Sequence, residues 1–159
     1  MKKLIVLFTV AAMLLACGTP KEVKDSKKII KGEWTINSIT YSESGSYSVT
    51  IFNDVSKDCF ENSTWRFIPN NNTGKYTINS AGGCSMGERN FIFTIDQVDA
   101  STGLYDFLLK PTDERGRSET NQGFRVRLAQ LNDTNMVWEQ NLTVDGKPFT
   151  IFMNFNKLN

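Results

Sequence analysis

Histidine is missing altogether from the 159 residues, and only three cysteines and four prolines occur. Without an imidazole the usual Ser-His and Cys-His nucleophile–base pairs cannot be built. No C-x2-C or similar metal-ligand spacing is present either. Neither sign of charge is in excess: 18 basic side chains face 17 acidic ones, a formal net charge of +1. That balance carries no electrostatic footprint for nucleic acid, and "RGRSETNQGFRVR" (115–127) reads as a turn followed by a strand with a charged outer face. Long apolar runs are lacking except at residues 4–16, too short to span a bilayer as a helix. The acid pairs Asp96/Asp99 and Asp113/Glu114 fall in turn-like sequence, where carboxylates are usually solvated. The glycine-rich "SAGGCSMG" (80–87) has neither the phosphate-binding lysine nor a strand-to-helix context. The chain therefore reads as a non-enzyme, with no catalytic residue, no metal site and no cofactor.

The single apolar run follows Lys2 and Lys3 and ends in small residues, the layout of a secretory signal. Its end, "LLACG" (14–18), resembles the bacterial lipobox. The resemblance implies cleavage after Ala16 and a diacylglycerol on the thiol of Cys17, usually with a further acyl chain on the freed amine. Burying acyl chains contributes about 0.8 kcal/mol per CH2, so two or three chains give lasting anchorage. The expected location is the bacterial cell envelope, with the membrane reached through the lipid. Gly18 after the cysteine favours the outer membrane, by resemblance to the sorting of other Gram-negative lipoproteins. Export to an oxidising compartment leaves Cys59 and Cys84 as the only thiols of the mature chain, and a disulfide between them is expected.

Three segments follow: a signal peptide at 1–16, a tether at 17–27 and one domain at 28–159. The tether reading rests on "KEVKDSKKIIK" (21–31), which mixes signs and lacks aromatics, its last turn packing as a short helix through Ile29 and Ile30. Beyond it the dominant period is two. "EWTINSITY", "SYSVTIF", "STWRFIP", "KYTIN", "NFIFTID", "LYDFLL", "GFRVRLAQL", "NMVWEQNLTV" and "FTIFMNFN" each alternate apolar with polar residues. Turn residues separate them, notably "PNNNTG" and Asp145-Gly146. The fold class is all-β, with eight or nine short antiparallel strands. Strands in this number either stack as a sandwich or close into a barrel, and closure removes the exposed edges. The Asn-x-Ser/Thr sites at Asn62, Asn71, Asn132 and Asn141 read as polar turn and edge residues.

"KGEWTINSITY" resembles the Gly-x-Trp opening of lipocalins, here Gly32 and Trp34, behind a short turn of helix. With the lipobox, the Cys-to-Cys segment and the later strands, the layout resembles the small lipocalin-like lipoproteins of Gram-negative envelopes. That resemblance implies an up-and-down β-barrel whose floor is Gly32 and Trp34, with Arg125 or Arg127 packed on the indole, since the last strand has no arginine. It also implies a pocket for a small hydrophobic or amphipathic ligand, lined by Trp65, Phe67, Phe91, Phe93, Tyr105, Phe107, Phe124 and Trp138. A barrel of eight strands is just wide enough to be filled by its own side chains or to hold one small ligand. The expected function is ligand binding in a lipid-anchored barrel. The alternative is a solid barrel serving as an interaction module for another envelope protein. An apolar void of a few hundred Å3 favours the first, and a filled interior the second.

Overall fold

The structure, a computed structural model, describes residues 21–79, 82–99 and 101–158. Residues 1–20, with the lipobox and Cys17, lie outside the described residues. Helix α1 (Lys21–Ile30) is built from straight-chain lysines on one side, while Val23, Ser26 and Ile30 are buried on the other. Most of the stretch expected as a tether is thus helix packed on the domain. Lys31 follows, and then Gly32 at φ +119°, a region L side chains rarely adopt. The glycine of the Gly-x-Trp motif is therefore the pivot that ends the helix and starts the first strand.

Eight strands close the barrel: β1 (Gly32–Tyr41), β4 (Thr64–Ile68), β5 (Thr73–Ile78), β6 (Gly87–Val98), β7 (Tyr105–Thr112), β8 (Phe124–Leu131), β9 (Asn135–Val144) and β10 (Lys147–Leu158). Consecutive strands from β4 to β10 pair antiparallel, and β1 pairs with both β10 and β4, so the sheet has no open edge. The all-β antiparallel barrel expected from the sequence is the fold. One expected strand is absent as such: "SYSVTIF" contributes only the two-residue β2 (Thr50–Ile51), paired with β3 (Val55–Ser56). This hairpin and the one-turn α2 (Lys57–Phe60) form the long β1–β4 connection.

The two ends differ. At one lie α1, the β4–β5, β6–β7 and β8–β9 turns and the end of β10. At the other, the β1–β4 connection presses Ile51, Phe52, Val55 and Phe60 into the core. That connection is stapled to the β5–β6 loop by the Cys59–Cys84 disulfide, with Cα atoms 5.6 Å apart. A second tie runs beside it: Arg89 Nε donates to Asp54 Oδ2 at 3.0 Å, and the Tyr76 hydroxyl donates to the same oxygen at 2.9 Å. Burial first, and then the Asp54 carboxylate, pushes the Tyr76 phenol well above its ordinary range, so it is held as a neutral donor. Replacing both cysteines with serine should lower the unfolding free energy by about 3 kcal/mol, as a closed loop of this size implies. Urea unfolding of the pair variant measures it, and unchanged stability would mean that the core alone holds the connection.

Candidate functional site

The resemblance placed a pocket inside the barrel, and the structure does bring its eight predicted lining residues together. Trp65, Phe67, Phe91, Phe93, Tyr105, Phe107 and Trp138 are almost fully buried, and Phe124 is half-buried near the far end. They pack on one another. Trp65 stacks on Tyr76 with centroids 4.5 Å apart and meets Trp138 edge-on at 5.4 Å. Trp138 continues to Phe155 at 4.7 Å and to Phe107 at 4.9 Å. Phe67 and Phe91 close the ring on the other side, 5.7 Å apart, and Phe124 touches Phe52 of the covering connection at 5.3 Å. Offset and edge-to-face geometries of this kind add about 0.5–1.5 kcal/mol per pair beyond area burial. The rings fill the barrel.

Gly74 shows how tight the filling is. It pairs with Phe67 on one side and Phe91 on the other, and a Cβ there would sit 2.3 Å from Phe91 Cζ and 2.8 Å from the Arg66 carbonyl oxygen. The Phe91 ring occupies the space that a side chain at position 74 would need. Gly74→Ala should destabilise the domain by about 1–3 kcal/mol through overpacking. Thermal unfolding followed by near-ultraviolet circular dichroism reads this, and a neutral result would show that the Phe91 ring can move aside.

At the floor, Trp34 is fully buried, and its indole Nε1 donates to the Ile30 carbonyl at 2.9 Å. The cation over its ring is neither Arg125 nor Arg127. Lys157 supplies it, with Nζ 5.2 Å from the ring centroid and donating to the Ile29 carbonyl at 2.7 Å. Two orphan carbonyls at the C-terminus of α1 are thereby satisfied, one by an ammonium that also suits the negative end of the helix dipole. Arg125 and Arg127 point outward because β8 places Val126 and Leu128 inside, and in a strand the neighbours of inward residues face out. Arg125 pairs instead with Asp96 and, at 4.0 Å, with Asp106. Lys157 was legible only as an unassigned basic residue at the end of the last strand.

Polar groups inside are few. The Ser26 hydroxyl of α1 donates to the Val23 carbonyl at 3.0 Å and lies beside the Tyr105 phenol, whose ionisation burial suppresses. Trp138 Nε1 and Gln140 Oε1, both on the inner face of β9, are buried with no hydrogen-bond partner. The carboxylates expected in turns act as turn anchors: Asp99 accepts from Ser101, and Asp113 from Arg115 and Arg117. Those hydrogen bonds hold both carboxyl groups below the ordinary range. Asp96 lies within β6 rather than in a turn. Among the described residues, no group of three His, Cys, Asp or Glu side chains is placed to hold a metal ion.

Hollows of appreciable size open at the surface, two of them reaching the aromatic residues at Tyr105 and Phe91. One of about 320 Å3 lies by the β6–β7 turn, between Leu104, Tyr105, Asp106 and Arg127. Another of about 360 Å3 lies under the β7–β8 loop, between Ile68, Ile92 and Arg115. A third, of about 480 Å3, separates α1 from the β4–β5 turn. All three open to solvent.

No family model and no curated protein matches the chain. Among solved structures, bovine odorant binding protein in complex with a selenium-containing odorant is similar, with 13% sequence identity and a TM-score of 0.43. The match covers 84% of this chain and 73% of that one.

Proposed function

We propose that this chain is a lipid-anchored protein of the bacterial envelope, held by acylated Cys17, and that its barrel serves as a rigid platform rather than a carrier. The observation that supports the platform is the continuous ring packing from Trp65 through Trp138 to Phe155, which leaves the barrel occupied by its own side chains. A filled barrel offers function through its outside. The end bearing the Cys59–Cys84 staple is fixed in shape by that bond and by the Arg89–Asp54 pair. Fixed loops cost little entropy on binding, so this end suits a protein partner in the envelope.

A second reading, binding of a small hydrophobic or amphipathic ligand, draws support from Trp138 Nε1 and Gln140 Oε1. A buried polar atom without a partner costs about 1–3 kcal/mol, and a ligand bringing one acceptor and one donor would recover it. Entry would require Phe93, Phe107 and their neighbours to move apart.

Titration of the unmutated protein with fluorescent fatty-acid and retinoid-like probes separates the two readings. The platform predicts no saturable binding across the probe classes. One-to-one saturation would overturn it in favour of the ligand pocket.

A further inference from the structure

Charge along this chain is divided unevenly. Residues 21–31 carry five lysines against Glu22 and Asp25, a local charge of +3, whereas residues 32–159 carry 11 basic and 15 acidic side chains, a charge of −4. The helix sorts its positive charge spatially as well. Val23, Ser26 and Ile30 face the barrel, and the periodicity of 3.6 therefore turns Lys21, Lys24, Lys28 and Lys31 outward, all exposed. Lys27, half-buried between the two faces, donates to Asn72 Oδ1 at 2.7 Å and fixes the helix to the β4–β5 turn. Between helix and turn runs the groove of about 480 Å3, lined by Lys24, Lys27, Lys28, Lys31, Pro69 and Asn70. Asp25 offsets part of this charge through its ion pair with Lys28 at 2.8 Å. At the same end of the barrel Ile68 and Leu158 are exposed apolar side chains, 41% and 38% accessible.

Position in the chain supplies the second half of the argument. Cys17 precedes Lys21 by four residues, which span at most about 14 Å when fully extended. A lipid on Cys17 would therefore hold α1 within one extended tetrapeptide of the bilayer surface.

We propose that α1 docks its lysine face on the anionic phospholipid headgroups of the leaflet that holds the acyl chains, with Ile68 and Leu158 at the same boundary. The proposal rests on the Cys17 anchor. It fixes the orientation of the barrel, because the stapled end then points away from the membrane. A lysine near an anionic surface gains roughly fivefold in partitioning, and several together make a second membrane signal beside the acyl chains.

The test uses acylated protein extracted from its own membrane and placed in nanodiscs of phosphatidylcholine alone or with about one-third phosphatidylglycerol. Lysine reactivity toward an amine-acylating reagent is read residue by residue by mass spectrometry. Lys21, Lys24, Lys28 and Lys31 should label about fivefold more slowly in the anionic discs, and the protection should vanish in about 0.5 M salt. Lys147, at the opposite end, should label alike in both discs. Lys24→Glu with Lys31→Glu, at exposed positions that leave the core untouched, should abolish the difference. Equal labelling of the α1 lysines in neutral and anionic discs would overturn the docking. Failure of the anchor shows separately, as an N-terminal peptide whose mass carries no lipid. In that case, salt-sensitive sedimentation of the unacylated chain with the anionic vesicles supports the lysine face, and its absence refutes it.

Discussion

Trp65→Ala should lower the unfolding free energy by about 3–5 kcal/mol, the largest stability effect expected of a single ring in this domain. The indole lies at the centre of the filled barrel, against Phe52, Phe60, Phe67, Tyr76, Phe91, Trp138 and Phe155. Its Nε1 also donates to Ser63 Oγ at 2.9 Å, and Ser63 is fully buried, so truncation orphans a hydroxyl as well as opening a void. Against a typical total stability of about 5–15 kcal/mol, such a loss brings the domain near its limit. Urea unfolding, with Trp65→Phe as the milder companion, measures the effect. A cost below about 1 kcal/mol for the alanine variant would mean that the rings are loosely packed. The variant also probes function: a dry apolar cavity should admit benzene or xenon where the parent binds neither.

Cys17→Ser, exported behind a signal that an ordinary signal peptidase cleaves, should move the protein from the membrane fraction to the soluble one. The expected change is nearly complete, because two or three acyl chains give stable anchorage, whereas the lysines of α1 alone would give only salt-sensitive attachment. Palmitate should be incorporated into the parent and not into the variant. The barrel should stay folded, since α1 begins beyond the substituted position and the core contains no residue before Val23 among the described residues. Retention of the variant at the membrane in high salt would count against the lipid as the anchor.

Much of the barrel was legible because a strand with one buried face must alternate. Trp65 and Phe67, Phe91 and Phe93, and Tyr105 and Phe107 all face inward as their spacing requires. The disulfide was legible from the count of thiols left once Cys17 is read as acylated and the chain as exported. Lys157 was not, because the contact between the end of β10 and Trp34 joins residues at opposite ends of the chain. The extent of α1 was missed for a related reason: its lysines disguise an apolar face of only Val23, Ser26 and Ile30, which becomes meaningful once a barrel end exists to receive it. "SYSVTIF" alternates as a strand should, but β1 already finds both of its partners in β10 and β4.

What the sequence determined by itself is local: strand faces through a period of two, turns through Asn, Asp and Gly, and the pivot at Gly32 through its lack of a side chain. Tertiary structure alone decided closure, register and filling. Pairing register shifts between Ile36 and Ser38, Ile95 and Gln97, and Leu128 and Gln130, and the first of these changes which parity of β1 faces inward, so that Ile39 joins the core after Trp34 and Ile36. Such shifts answer to the twist and stagger of a closed sheet, which no single strand encodes. Whether eight aromatic side chains line a pocket or fill it depends likewise on the distance between opposite walls, a quantity that exists only once β1 has met both β4 and β10.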